Sequence, residues 1–145
     1  MKIIIQECAK DDEEEIIVRC RNIDKDVLKL IYALGAKREK FTVWKEERMF
    51  QILPKDIFYF ESVDNRVFAY LEKEVYETKK KLYELEQDFY NTEFFRASKS
   101  TIINLEKVVY ISPGFNGRFE ASMKNGEQLV ISRQYVPELK RRLGL

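Results

Sequence analysis

Apolar residues recur along this chain with two spacings, and the change from one to the other divides it. Near the start, "MKIIIQE" and "IIVRCR" are short β-branched runs flanked by polar residues, which is how strands read. The intervening "CAKDDEEE" reads as a turn or loop. Val27, Leu30, Ile31 and Leu34 then fall three to four apart, predicting a helix capped by Asp24. Residues 1–36 are therefore expected to form a small β-β-α appendage, serving as a dimerisation or partner-binding module.

From residue 37 the pattern becomes that of strands. "KFTVWKE" and "RMFQIL" flank a charged turn, and "DIFYFES" and "RVFAYL" flank "VDN", where Asp64 and Asn65 tolerate unusual backbone angles. "EVYET" reads as a further strand. "KKKLYELEQDF" reads as a helix with Leu82, Leu85 and Phe89 on one face. "KVVYIS" and "RFEASMK" flank "PGFNG", and Asn125–Gly126 is a strong hairpin signal leading into "EQLVIS". The tail "RQYVPELKRRL" predicts a helix with its basic residues near the C-terminal end, where the helix dipole favours them. Many short strands, tight turns and few helices define a mainly β domain over residues 37–145.

Composition narrows the chemistry. The 145 residues are 45% hydrophobic and 35% charged, which suits one compact domain with a core and argues against disorder. No apolar run approaches the roughly 18 residues of a membrane span, and a cytoplasmic location is expected. The chain contains no histidine, which removes serine–histidine triads, cysteine–histidine dyads and the commonest metal ligand. Cys8 and Cys20 fit no metal or redox spacing and read as reduced, partly buried thiols. Neither a metal nor a cofactor is expected.

The net charge of +1 conceals an asymmetry. Residues 1–36 and 37–93 are each −2, whereas residues 94–145 carry nine basic side chains against four acidic ones, or +5. Such a basic end points to a polyanion. It includes "FFRASKSTIIN", residues 94–104, in which Ser98, Lys99 and Ser100 lie between two apolar clusters. A serine beside a lysine serves as a nucleophile in amidohydrolases, but only if the lysine is buried and neutral. Arg96 in the same segment and the lack of a glycine-rich oxyanion motif favour a phosphate clamp instead.

In order along the chain, "IFYFES…NRVFAYL", "KKLYELE", "FFRASKSTIINLEKVVYI" and "MKNGEQLVISRQYVPELK" resemble the LytTR family of bacterial DNA-binding domains. The resemblance covers about residues 37–145. It implies an elongated fold of short antiparallel sheets whose end loops enter successive major grooves of promoter DNA. It also implies a transcriptional regulator rather than an enzyme. The family's contacts match Asn65 and Arg66 in an early turn, Ser98, Lys99 and Ser100 in the central loop, and Arg133 after the last strand. Gln134 and Lys140 accompany Arg133.

Two departures stand out. Many family members carry a histidine in an "R-x-H-R-S" form where this chain has Ala97-Ser98-Lys99-Ser100. The start "MKIII" looks like that of a phosphoacceptor receiver domain, yet such a domain needs roughly 100–120 residues. A regulator without a receiver domain is expected, like short members controlled by a partner membrane protein, with a homodimer on paired DNA repeats. The alternative function is a protein-interaction module whose N-terminal segment binds a partner while the β domain acts as scaffold. Asn104 reads as a structural asparagine bonding backbone beside a bend. The aromatic residues of 57–71 read as core and cross-strand packing rather than base-stacking platforms.

Overall fold

The computed structural model describes residues 4–36 and 40–145. Among these residues ten strands and three α-helices follow one another, all strand pairs being antiparallel. A helix, α1 (Lys25–Ala36), precedes a seven-stranded sheet built from β1 (Phe41–Lys45), β2 (Arg48–Ile52), β3 (Tyr59–Val63), β4 (Arg66–Tyr70), β5 (Val75–Thr78), β6 (Phe94–Arg96) and β7 (Thr101–Asn104). Its spatial order is β2-β1-β5-β4-β3-β7-β6. Helix α2 (Leu82–Asp88) joins β5 to β6. A second sheet, ordered β10-β9-β8, holds β8 (Val108–Pro113), β9 (Phe119–Met123) and β10 (Gln128–Ile131), and α3 (Val136–Arg142) follows it.

The turns follow from local chemistry. Glu46–Glu47 and Asp64–Asn65 each place two residues at positive φ between paired strands, the twist a two-residue hairpin needs. In the β9–β10 turn, Gly126 takes φ +89° and the Asn125 side-chain oxygen accepts from the Glu127 N–H at 3.1 Å. The resulting mainly β architecture is the one the pattern predicts.

The central strands are apolar on consecutive positions because both faces of the large sheet are covered. On one face Phe60, Phe94, Ile102, Val43 and Val67 pack beneath Leu82, Leu85 and Phe89 of α2 and the turn after it. On the other face the very next residues, Tyr59, Phe95 and Ile103, meet Ala121, Met123 and Ile131 of the second sheet and Val136 and Leu139 of α3. Alternation therefore persists, but each set of alternate residues finds its own core. Burying side chains the size of Phe60 or Phe95 stabilises by about 1.5–3 kcal/mol each.

Asn104 joins the bend after β7 to the start of β3. It is buried, its amide donates to the Ile57 carbonyl at 2.8 Å, and its oxygen accepts from the Glu106 N–H at 3.0 Å. The aromatic residues of 57–71 pack as core and cross-strand pairs, with Tyr59 and Tyr70 stacked 4.4 Å apart.

The appendage differs from expectation. Its helix forms as predicted, and the Asp24 carboxylate accepts from the Val27 N–H at 3.0 Å as a cap. Its strands are absent over the described residues: 4–24 contain no strand, and the first three residues of "MKIIIQE" lie outside them. Ile4, Ile5, Ile16 and Ile17 are all exposed. β-Branched runs favour extended backbone, but an isolated two-stranded ribbon with no surface to cover is marginal. Cys8 and Cys20 sit in this segment and are free and exposed, not partly buried.

Tyr59 lies where the two sheets meet, and burial, followed by the nearby Glu127 carboxylate, pushes its phenol well above the usual tyrosine range. The neutral form is thus favoured in the folded state, while an unfolded tyrosine ionises near pH ~10. Stability from this group is fully present below that pH and is lost as pH rises beyond it. Denaturant melts at pH 8 and pH 11 should show an alkaline loss that shrinks in Tyr59→Phe. An equal loss in the variant would remove Tyr59 as its source.

Candidate nucleic-acid interface

Antiparallel pairing brings the predicted segments to one end of the molecule. Glu61 of β3 lies opposite Thr101 of β7, so the β3–β4 turn and the β6–β7 loop leave the same edge, and the Ser62 N–H donates to the Ser100 carbonyl at 2.8 Å. At the end of β10, the Ser132 N–H donates to the Ala97 carbonyl at 2.8 Å. That bond sets Arg133, the next residue, beside the 97–100 loop. Ile131 pairs with Phe119, so the β8–β9 loop, residues 114–118, reaches this end as well.

The 97–100 loop is shaped from within. Arg96, mostly buried, donates through Nε to the Ser98 carbonyl at 2.6 Å and through a terminal nitrogen to the Lys99 carbonyl at 2.7 Å. Its other terminal nitrogen meets Glu86 of α2 at 3.0 Å. Ser98 Oγ accepts from the Ser100 N–H at 3.2 Å. With its carbonyls and hydroxyl so engaged, the loop holds Lys99 and Ser100 outward, and both are exposed. An exposed Lys99 lacks the enclosure that the amidohydrolase alternative demands.

Asn65 is exposed at the tip of its turn. Arg66 is exposed too, but its guanidinium is engaged by Glu77 of the adjacent strand in a two-point contact of 3.0 and 2.6 Å, and lies over the Phe68 ring. The hydrogen bond from Arg66 holds the Glu77 carboxyl below the usual carboxylate range, and Glu77 in turn raises the arginine. Arg133 and Gln134 are exposed on a 3-10 turn, Arg133–Tyr135, that leads into α3.

The C-terminal basic cluster is less free than its composition suggests. Arg141 pairs with Glu138 at 2.5 Å, and Arg142 donates to the Thr92 carbonyl at 2.8 Å while covering Phe95. Arg141 is thus paired within its own helix, and Arg142 ties α3 to the segment before β6. Lys140 is exposed, with its amine 5.9 Å from the centre of the Phe119 ring. Among the described residues, Lys99, Arg118 and Arg133 form no ion pair. Sequence reasoning placed "PGFNG" between two strands but assigned no contact to this loop or to Arg118; in the structure Asn116 and Gly117 both take positive φ there. It also missed Lys79, which follows β5 at the same end and lies 3.8 Å over the Trp44 ring.

The chain belongs to the LytTr DNA-binding domain family, whose model matches residues 47–144. The sensory transduction protein LytT of Enterococcus faecalis is 31% identical over 111 residues, covering 77% of this chain and 46% of that protein. The chain thus spans under half the length of that relative. An uncharacterized HTH-type transcriptional regulator of Staphylococcus aureus is 27% identical over 150 residues, covering 100% of this chain and 99% of the other. The solved LytTr DNA-binding domain of a Bacillus cereus methyl-accepting/DNA response regulator superposes with a TM-score of 0.70. At 24% identity, covering 74% of this chain and 99% of that one, it shows a shared fold.

The Arg66–Glu77 pair makes the role of Arg66 measurable. Exposed ion pairs contribute little to folding, so Glu77→Gln should leave the melting temperature unchanged. It releases the guanidinium, so affinity for duplex DNA at low salt should rise and the log–log salt slope should steepen by about one unit. Unchanged affinity and slope would remove Arg66 from the interface.

Proposed function

We propose that this protein is a sequence-specific double-stranded DNA-binding regulator of transcription that places its end loops in successive major grooves of promoter DNA. The observation that carries the reading is the gathering of three unpaired cations, on three separate loops, at one end of the two sheets. Cations spread in this way reach several phosphates along a duplex, and phosphate contacts fix register before any base is read. Arg133 is the residue assigned to a base edge. It leaves the end of β10 exposed and without a carboxylate partner, and an arginine fork matches guanine O6 and N7. Lys99, flanked by Ser98 and Ser100, is assigned to phosphate, with Asn65 and Gln134 at the margins.

Arg133→Ala should cost about tenfold to a hundredfold on a duplex selected from a random-sequence library by the wild-type protein, with little loss on a scrambled duplex. Lys99→Ala should weaken both duplexes alike and make the salt slope shallower by about one unit. Binding by titration at several salt concentrations checks both. The assignment fails if the two variants behave identically, or if Arg133→Ala unfolds the domain.

The N-terminal segment supports a second element of the proposal, pairing of two copies on repeated sites. Residues 4–24 expose several isoleucines and contain no strand of their own, so they have apolar surface to give to a neighbour. Removing residues 1–36 should weaken binding to a two-repeat duplex more than to a single repeat. Equal losses on both would exclude cooperative pairing through this segment and leave a partner such as a membrane protein as its occupant.

A further inference from the structure

We infer that Gly117 is a positioning residue for DNA recognition, keeping clear the space through which Arg133 reaches the duplex. This rests on the assignment of Arg133 to a base edge and adds the element that aims it. The β8–β9 loop is closed by the Gly114 N–H donating to the Arg118 carbonyl at 2.7 Å and the Arg118 N–H donating to the Phe115 carbonyl at 3.2 Å. Between those bonds Asn116 (φ 56°) and Gly117 (φ 76°) turn the chain through left-handed backbone. The turn presents the bare α-carbon of Gly117 to the stem of Arg133. A β-carbon at residue 117 would stand 2.9 Å from Arg133 Cδ and 3.2 Å from its Cγ, and the three nearest atoms it would meet all belong to that one side chain.

The consequence follows from what can yield. At 2.9 Å something must shift, and a solvent-exposed arginine stem rotates far more easily than backbone pinned at Ser132 and Gly114. Any side chain at residue 117 therefore expels Arg133 from its present rotamer without disturbing a core. The guanidinium keeps its charge but loses its direction, so non-specific attraction survives while base recognition suffers. This separates an aiming role from a merely structural one.

Gly126 supplies the control. It has a similarly positive φ of 89°, but a β-carbon there meets nothing within 4 Å. Gly117→Ala and Gly126→Ala thus share the backbone strain and differ in the arginine contact. The selected and scrambled duplexes serve as probes, with thermal melts run on every variant. Gly117→Ala should lose about tenfold on the selected duplex and keep its affinity for the scrambled one, while Gly126→Ala stays near wild type on both. In an Arg133→Ala background, Gly117→Ala should add no further loss, because the side chain it misdirects is gone. If Gly117→Ala melts early, Gly117→Asn presents the same β-carbon from a residue that tolerates left-handed backbone.

The inference is overturned if Gly117 and Gly126 variants lose specificity equally, or if the loss persists without Arg133. If instead Arg133→Ala alone retains full affinity for the selected duplex, the base-reading role itself falls, and that outcome is distinct from either of the others.

Discussion

The Ser132 N–H donates to the Ala97 carbonyl, and the relative placement of the two sheets at the loop end depends on that bond together with the core beneath it. Phe95 and Ile103 of the β6–β7 hairpin face the second sheet and α3, while Phe94 and Ile102 face α2. A hairpin gripped on both faces cannot tilt without opening one core or the other, since interiors are packed too densely to deform continuously. The 97–100 loop inherits that rigidity. Ser132 then extends it to Arg133, which follows the last strand of the other sheet. Loops that must meet a helical ligand at fixed spacing need such a scaffold, because a displacement of an ångström removes a hydrogen bond.

Charge in this molecule is divided between holding the fold and facing outward. Of the nine basic residues beyond position 93, Arg96 is spent on loop carbonyls and Glu86, Arg141 on Glu138, and Arg142 on the Thr92 carbonyl. Regional net charge therefore overstates what a ligand meets. The cations without a carboxylate at the loop end come from different turns and act on a duplex as separate points rather than as one patch. Arg66 shows the intermediate case. Its pairing with Glu77 means that contact with phosphate would require exchanging one anion for another, so Glu77 competes with a duplex for this side chain.

How legible all this was depended on whether the determining contacts were local. Apart from β6 and β7, which the pattern gave only as apolar clusters, the strands from residue 41 onward could be read because each apolar run has a partner surface in the same domain, so propensity and tertiary structure agree. "MKIIIQE" and "IIVRCR" have similar propensity, yet over the described residues they find no such surface and form no strand. The asparagine–glycine turn, the α2 face and the role of Asn104 were readable from a few neighbouring residues. The engagement of Arg66 was not, since Glu77 lies on another strand and faces it only through the β4–β5 register. Gly117 and Arg133 continue the β9–β10 register beyond Phe119 and Ile131, but no sequence pattern shows how closely the turn brings them together.

The serine that replaces the histidine of many family members bears on how the interface divides its work. Ser98 Oγ is occupied by the Ser100 N–H, and the Ser98 carbonyl by Arg96, so this residue's hydrogen-bonding capacity is turned inward to hold the loop. A short hydroxyl held against the loop in this way has little reach toward a base edge. The only long side chain left at the loop tip is Lys99, a flexible point charge suited to phosphate rather than to a two-acceptor pattern. On the proposed assignment, base discrimination would fall more heavily on Arg133, whose planar fork, unlike a lysine's point charge, can distinguish guanine by two parallel bonds. An interface that concentrates its reading in one arginine makes whatever fixes that arginine's direction as consequential as the arginine itself.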